Sequence, residues 1–172
     1  RLMWGLIYGG AFLVSFAASA VLKVTWHPLG DKYSVQWDDS VGTVYTDLSY
    51  GEGEANKFDL YLPADNTGET YGLVVYLHAG GFTSGDKSDD AGMLQWLCSK
   101  GYVAAGINYT LFSEEHPDAN VYTQSVEIRD SIPYVLAEAE KRGYAIDRMA
   151  ASGGSAGHTL AMLYAYRDAA AS

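Results

Sequence analysis

Gly153-Gly154-Ser155-Ala156-Gly157 follows a short apolar run at residues 149–151 and precedes an apolar helical pattern at residues 160–164. This is the G-x-S-x-G pattern of a strand-to-helix turn, in which the glycines let helix and strand pass closely while the serine hydroxyl is exposed. The pattern predicts that Ser155 is a nucleophile. The structural alternative is a glycine-rich loop that caps a helix, because such short patterns also arise by chance.

A second glycine-rich loop lies earlier in the chain. Leu73-Val-Val-Tyr-Leu77 reads as a buried strand, and His78-Ala-Gly-Gly-Phe82 follows it directly. Small residues there let the backbone approach a substrate, so Gly80 and Gly81, with Ala156 after the serine, are predicted to supply the N–H donors of an oxyanion hole. His78 is predicted to support this loop by hydrogen bonds. A tight glycine turn after an ordinary strand is the alternative.

The alternation of strands and helices between the two loops predicts an α/β protein with a mostly parallel sheet and helices on both faces. With the HAGGF and GGSAG loops in this order, the chain resembles the α/β-hydrolase superfamily over residues 57–167. Within it, the chain is similar to carboxylesterases that include the hormone-sensitive-lipase-like enzymes and the bifunctional feruloyl and acetyl-xylan esterases. Further matching segments are Phe58-Asp-Leu-Tyr-Leu-Pro63, Thr83-Ser-Gly-Asp-Lys87, the stretch 101–109 and Asp147-Arg148.

The resemblance implies a serine carboxylic-ester hydrolase that acts by acyl transfer and needs no cofactor. Its substrate would be a small-molecule ester or a carbohydrate ester such as an acylated plant polysaccharide. A peptidase or an arylformamidase on the same fold would share the same residues, and a non-catalytic, hydrolase-like binding domain is a further alternative. Two positions depart from the family pattern. Ala79 replaces a glycine, which is tolerated if Ala79 avoids positive φ, and His158 stands where another glycine is common.

The acid and the histidine of this family follow the serine on loops after later strands. The chain has four histidines, which are His27, His78, His116 and His158. The first three precede Ser155, and His158 lies on the same predicted helix as the serine, as does Asp168. The resemblance therefore implies that the C-terminal part of the fold is missing from this chain. It places the acid and base beyond residue 172, so that these residues alone would turn over little ester.

Net charge and residue spacing exclude some classes of binding partner. The formal net charge is −10, and the absence of a basic stripe argues against a nucleic-acid partner. The histidines and the single cysteine lack the spacing of metal ligands, so no metal site is predicted. Cys98 lies on a predicted apolar helix face and is expected to be a buried structural thiol rather than a reactive one.

Residues 2–22 carry no charged side chain and are long enough to span a bilayer. They predict an uncleaved membrane anchor or a secretory signal, with Ala18-Ser-Ala20 as an A-x-A-like cleavage site. Either case places the protein outside the cytoplasm, membrane-anchored or secreted. The expected organisation is an N-terminal segment at residues 1–23, a linker or packed lead-in at 24–40 and a partial hydrolase domain at 41–172.

The remaining pattern predicts the elements around the two loops. Residues 43–48 and 57–62 are expected to form antiparallel strands, residues 102–108 another strand, and residues 91–100 a helix that ends at Gly101. Residues 113–118 are expected to form a surface loop beside the substrate cleft. The helical pattern at residues 121–139 contains Pro133, which predicts a kink there or a helix that restarts near Asp130.

Overall fold

The computed structural model describes residues 2–25 and 33–167, and the chain separates into two units, residues 1–34 and 35–172. In the first unit, helix α1 covers Leu2–Thr25. Its segment Met3–Leu22 has 20 residues and a mean hydropathy of 1.8. At about 1.5 Å per residue this segment matches the hydrocarbon core of a bilayer. Length and composition therefore allow α1 to cross a membrane, a test that a signal sequence near an N-terminus would also pass.

The second unit is built on five strands. They are β1 Gly42–Ser49, β2 Lys57–Pro63, β3 Tyr71–Leu77, β4 Val103–Ile107 and β5 Ile146–Gly153. They form one sheet in the order β1-β2-β4-β3-β5. The pairs β1–β2 and β2–β4 are antiparallel, whereas β4–β3 and β3–β5 are parallel. The predicted α/β-hydrolase fold is confirmed, with its antiparallel part confined to the first strands.

The parallel strands end at the same edge of the sheet. Leu77 of β3 is in register with Ile107 of β4 on one side and with Gly153 of β5 on the other. The loops that follow these three strands therefore start side by side. In open α/β sheets this edge is where ligands bind.

Helices cover both faces of the sheet. They are α2 Ala91–Cys98, α3 Val121–Lys141 and α4 Ala156–Arg167. Leu60 of β2 packs in one core cluster with Ile128 of α3 and Leu160 of α4. The neighbouring Tyr61 packs on the other face with Leu94 and Cys98 of α2. A central strand that is buried on both faces needs apolar side chains at nearly every position. The uninterrupted apolar run in β3 predicts such a strand.

Helix α3 runs without a break through Pro133, so of the two alternatives predicted there, a kink or a restart near Asp130, the restart is wrong. Proline removes one backbone donor inside a helix and usually interrupts it. Here Ile132, Val135 and Ala139 are buried against the sheet, and burial of an apolar face outweighs local propensity in most protein helices. The first turn is fixed by Asn120, whose side chain accepts the N–H groups of Tyr122 and Thr123.

Trp37, which precedes β1, packs against the sheet domain. Its ring lies edge-on to Tyr61 with centroids 5.7 Å apart, and it packs against the cluster that contains Cys98. The choice between a linker and a packed lead-in for residues 24–40 stays open, because residues 26–32 lie outside the described part of the chain. Cys98 is buried, as predicted, and burial raises the pKa of its thiol to about 12.

An ion cluster with a buried Lys87 and a buried Asp59 joins the segment after the HAGGF loop to the first strands. The Lys87 ammonium lies 2.9 Å from Asp47 Oδ1 and 3.1 Å from Asp59 Oδ1. Asp59 also accepts the backbone N–H of Asp47 at 2.9 Å. Burial alone would lower the pKa of Lys87, but the two carboxylates outweigh it and raise that pKa. Lys87 is therefore charged and holds residues 83–87 against β1 and β2.

Candidate active site

Ser155 occupies the turn between β5 and α4. Its φ is +45°, a left-handed conformation that costs energy for a residue with a Cβ and persists only where the surroundings enforce it. The neighbouring Gly154 N–H donates to Leu77 O at 3.1 Å, and the Gly157 N–H donates to Gly154 O at 2.8 Å. These bonds attach the turn to the end of β3 and leave the Ser155 side chain exposed.

The two outer glycines permit this close approach. A Cβ at Gly153 would lie 2.6 Å from the Gly157 carbonyl carbon and 2.6 Å from Leu77 O, and one at Gly157 would overlap Leu77 O. Both positions exclude larger side chains because their neighbours are backbone atoms that cannot rotate away. The sequence-based expectation that glycines let helix and strand pass closely is met at both residues.

The loop after β3 has an unusual backbone. Gly80, Gly81 and Phe82 have φ values of +135°, +62° and +71°, whereas Ala79 is not among the residues with positive φ. Ala79 therefore fits where a glycine is common in the resembled family. Gly80 O accepts the N–H groups of Thr83 and Ser84 at 3.1 and 3.0 Å, which closes the loop into a tight turn.

Three backbone N–H groups in the loop after β3 and in the turn that carries Ser155 are available as donors. Within the described residues, the N–H groups of Gly80, Gly81 and Ala156 have no hydrogen-bond acceptor. Gly154 contacts the start of the loop, since a Cβ there would lie 3.3 Å from the Ala79 Cβ. Unpaired N–H groups beside an exposed serine are suited to bind an oxygen that gains negative charge.

His78 lies beneath the loop rather than at the serine hydroxyl. Its ring is buried and stacks on Tyr109 with centroids 4.4 Å apart, and Nδ1 lies 2.8 Å from Ala79 O. An Nδ1–H donor to that carbonyl leaves Nε2 as the acceptor nitrogen. The Tyr109 hydroxyl, whose pKa burial raises to about 12, donates to His78 O at 3.0 Å. This geometry is that of a supporting side chain.

The family follows from a comparison with known domains. A family model, BD-FAE, matches residues 58–172, about two thirds of the chain. The chain belongs to the BD-FAE family. The matched segment holds the HAGGF loop, the GGSAG turn and every strand from β2 onward.

Individual relatives of this BD-FAE chain are hydrolases by name. A kynurenine formamidase from Salmo salar is 31% identical over 91 residues, which are 53% of this chain and 29% of the relative. A probable carboxylic ester hydrolase, LipM, from Mycobacterium tuberculosis is 31% identical over 124 residues, 69% of this chain and 27% of the relative. The crystal structure of esterase B from Lactobacillus rhamnosis, inhibited by a C6-C4 compound, matches with a TM-score of 0.66 and 26% identity. That match covers 90% of this chain and 49% of the esterase. The chain thus spans less than a third of these curated relatives and about half of the solved esterase.

Within the part of the BD-FAE chain that the structure describes, no histidine is hydrogen-bonded to Ser155. His158 is exposed on the first turn of α4 and places a polar side chain there. His27 and Asp168 lie outside the described residues.

The sequence did not predict the polar contacts that Asn108 and Asp86 make beside the loop. Asn108, directly after β4, accepts the Lys87 N–H at 2.6 Å and donates to Asp86 Oδ2 at 2.7 Å. Although burial raises it, hydrogen bonds from Ser88 and Asn108 lower the pKa of Asp86 to about 2. Asp86 caps a short 3-10 turn, Lys87–Asp90. The sequence signal for that cap is the acidic residue three positions later, Asp89.

A cavity of about 430 Å³ opens beside the loop. Its walls come from residues that follow the HAGGF loop, from the segment after β4 and from the surface loop that the sequence predicts at residues 113–118, whereas Ser155 does not line it. They include Thr83, Gly85, Asn108, Tyr109, Ser113 and His116. Several of these side chains carry hydrogen-bond donors or acceptors, although the exposed surface of the lining is more apolar than polar.

Proposed function

We propose that this protein is a serine carboxylic-ester hydrolase with Ser155 as its nucleophile. The observation that carries the proposal is the left-handed Ser155 at the end of β5, held against the end of β3 by the Gly154 N–H bond to Leu77 O. A nucleophile on such a turn projects above the sheet edge where substrates bind. Family membership and the named ester hydrolases among the relatives support the same chemistry.

In the proposed reaction, Ser155 Oγ attacks the ester carbonyl carbon while a general base takes its proton. The carbonyl oxygen gains negative charge and is held by the N–H groups of Gly80, Gly81 and Ala156. The C–O bond to the alcohol then breaks, and the alcohol leaves with the proton. Water repeats the attack on the acyl-serine, which releases the acid and restores the hydroxyl.

The base and its acidic partner are a histidine and an Asp or Glu. In this type of active site both follow the serine along the chain. His78 is excluded as the base in this proposal because its Nδ1 is committed to Ala79 O and its ring is stacked under the loop. Its role is to support the oxyanion-binding backbone.

As the finer substrate class we propose esters of a small acid with a carbohydrate alcohol. The resemblance to feruloyl and acetyl-xylan esterases suggests it, and hydrogen-bonding side chains in the cavity that follows the HAGGF loop, such as Asn108 and Ser113, support it. A sugar has many hydroxyl groups that need hydrogen-bond partners when water is displaced. Comparison of kcat/KM for acetylated xylan oligosaccharides and for 4-nitrophenyl acetate tests this step. Equal or poorer use of the sugar esters would reject it.

The nucleophile is tested by substitution in the full-length protein. Ser155→Ala should abolish turnover of 4-nitrophenyl acetate. Ser152→Ala is the matched control, since Ser152 is also exposed and lies three residues earlier at the end of β5. Retained turnover in Ser155→Ala would overturn the assignment, and equal losses in both variants would show that the strand end, rather than one hydroxyl, was disturbed.

A second candidate is an arylformamidase on the same fold. It is favoured by the kynurenine formamidase relatives from Salmo salar and Danio rerio, each 31% identical over part of the chain. The same nucleophile and donors would act on a formamide carbonyl, with an amine as leaving group. Hydrolysis of N-formylkynurenine with a higher kcat/KM than that for phenyl and sugar esters would select this function.

We further propose that α1 places the catalytic domain outside the cytoplasm. Its 20-residue apolar segment supports this, whether it remains as an anchor or is removed as a signal. Membrane fractionation with N-terminal sequencing of the mature protein separates the two. A mature chain that begins after Ala20 means secretion, and an intact α1 in the membrane fraction means an anchor.

A further inference from the structure

Gln124 connects two loops at the candidate site. It lies in the first turns of α3, and none of its surface is exposed. Its side-chain amide nitrogen donates to Phe82 O at 3.0 Å and to Thr110 O at 2.9 Å. Phe82 ends the HAGGF loop, and Thr110 lies after β4. One amide group therefore fixes the separation of these two segments.

Phe82 needs such a restraint. Its φ of +71° continues the positive values of Gly80 and Gly81, but Phe82 carries a side chain and is strained in this conformation. Its carbonyl oxygen accepts two hydrogen bonds, one from Gln124 and one from the Phe112 N–H at 3.0 Å. Both bonds hold the peptide that follows the proposed oxyanion donors.

Only the donor group of the Gln124 side-chain amide makes hydrogen bonds. Among the residues that the structure describes, its Oε1 atom is buried without a hydrogen-bond partner. A buried polar atom without a partner is costly, so an apolar residue would be the easier choice if this position served only to fill space. Both protons of the amide group, in contrast, have an acceptor.

The same helix face also restrains the backbone N–H of Thr110, which donates to Glu127 Oε2 at 2.7 Å. Gln124 and Glu127 are three residues apart and thus neighbours on α3. Together they bind both backbone polar groups of Thr110, and Gln124 alone extends the restraint to Phe82. The first turns of α3 therefore hold the end of the HAGGF loop and the segment after β4 in place.

We infer that Gln124 is a positioning residue for the oxyanion-binding loop. It keeps Phe82 in its strained conformation and thereby keeps the Gly80 and Gly81 N–H groups directed at the substrate oxygen. This inference rests on the proposed function of Ser155. Donors fixed before the reaction stabilise the developing charge of the transition state more than the neutral substrate. Loss of Gln124 therefore acts on kcat and much less on KM.

The test uses Gln124→Met in the full-length enzyme, because methionine has a similar length and no donor. With 4-nitrophenyl acetate, kcat should fall by about 10- to 100-fold while KM changes by less than about threefold. Affinity for a trifluoromethyl ketone, which mimics the tetrahedral intermediate, should fall in proportion to kcat/KM. The concentration of active enzyme used to calculate kcat is determined by fluorophosphonate titration of Ser155, which leaves unfolded protein out of the calculation.

Ser125→Ala is the matched control. Ser125 is the next residue on α3, is equally buried, and donates to Tyr122 O at 2.6 Å. It also accepts a bond from Arg167, but it makes no bond to the HAGGF loop. Its kcat should stay within about twofold of the unsubstituted enzyme, since it carries no transition-state interaction.

If Gln124→Met is recovered in too low a yield, Gln124→Leu gives the same test, because leucine also lacks a hydrogen-bond donor. A kcat within threefold of the unsubstituted enzyme in the Gln124 variants would overturn the inference, as would an equal loss in Ser125→Ala. If the unsubstituted enzyme hydrolyses esters and its Ser155 is labelled, that failure concerns Gln124 alone. An unsubstituted protein that is neither labelled nor active would overturn both the inference and the proposed function.

Discussion

Gly157→Ala should damage stability and catalysis together, because Gly157 lies where α4 crosses the end of β3. A Cβ there would lie 2.5 Å from the Leu77 carbonyl carbon and 2.7 Å from His78 O, besides overlapping Leu77 O. An ordinary contact begins near 3.4 Å, so α4 would have to retreat by about 0.9 Å or more, a shift that the packed core resists.

Overpacking against backbone atoms costs about 1–3 kcal/mol, and three immobile neighbours place Gly157→Ala at the upper end of that range. The gain from replacing a glycine near a helix start is less than about 1 kcal/mol. We therefore expect the free energy of unfolding to fall by about 2 kcal/mol. Ser155 lies two residues away on the same turn, and a misplacement of about 1 Å at a reacting group lowers kcat by about a hundredfold.

Urea unfolding and ester kinetics on the full-length protein measure both effects. Gly92→Ala is the matched control, since Gly92 is also the second residue of its helix and a Cβ there has no neighbour within 4 Å. Gly92→Ala should raise the free energy of unfolding by up to about 1 kcal/mol and leave kcat unchanged. Equal effects of the two substitutions, or an active and stable Gly157→Ala, would refute the reasoning from close approach.

Three further predictions follow from burial and charge. Lys87→Met should lower the free energy of unfolding by about 3–5 kcal/mol because it leaves the buried Asp59 carboxylate without its cation; urea unfolding at pH 7 measures this, and a loss below about 1 kcal/mol would contradict it. Cys98, with its thiol pKa raised to about 12 by burial, should resist iodoacetamide at pH 8 in the folded protein and react after denaturation; rapid labelling of the native state would mean an exposed thiolate. Because the folded-state pKa of Asp86 is lowered to about 2 from 3.8, its ionised form stabilises the fold above about pH 4, and this contribution is lost as the pH falls through 2. Asp86→Asn should therefore be less stable than the unsubstituted protein at pH 7, with a difference that shrinks between pH 4 and pH 2; a constant difference would argue against ionisation as its cause.

Local patterns predicted the elements that carry the site. The apolar run of β3 reflects burial on both faces of the sheet, which selects apolar residues at neighbouring positions of the chain. The two outer glycines of the GGSAG turn could also be predicted from the sequence, since a Cβ at either position would overlap backbone atoms of this turn or of the end of β3. The continuity of helix α3 through Pro133 could not be predicted from local patterns, because the strands that pack against this helix are distant in the sequence.

The polar contacts around the loop could not be predicted in this way. Gln124 bonds Phe82, 42 residues earlier, and Lys87 pairs with Asp59 of β2. Neither pairing has a fixed spacing, because it depends on how the strands are ordered in the sheet. His78 was predicted as a support from its place in the loop, but its stacking on Tyr109 arises only when β3 and β4 lie side by side.

Ester hydrolysis through Ser155 is most directly tested by mapping a fluorophosphonate adduct on the native full-length protein by peptide mass spectrometry. A serine held on this turn and activated by its base should be labelled stoichiometrically at Ser155. Ser155→Ala should remain unlabelled, and Ser152→Ala should react like the unsubstituted protein. Absence of the adduct at Ser155, or labelling of another serine, would contradict the proposed function and favour a hydrolase-like domain that binds without catalysis.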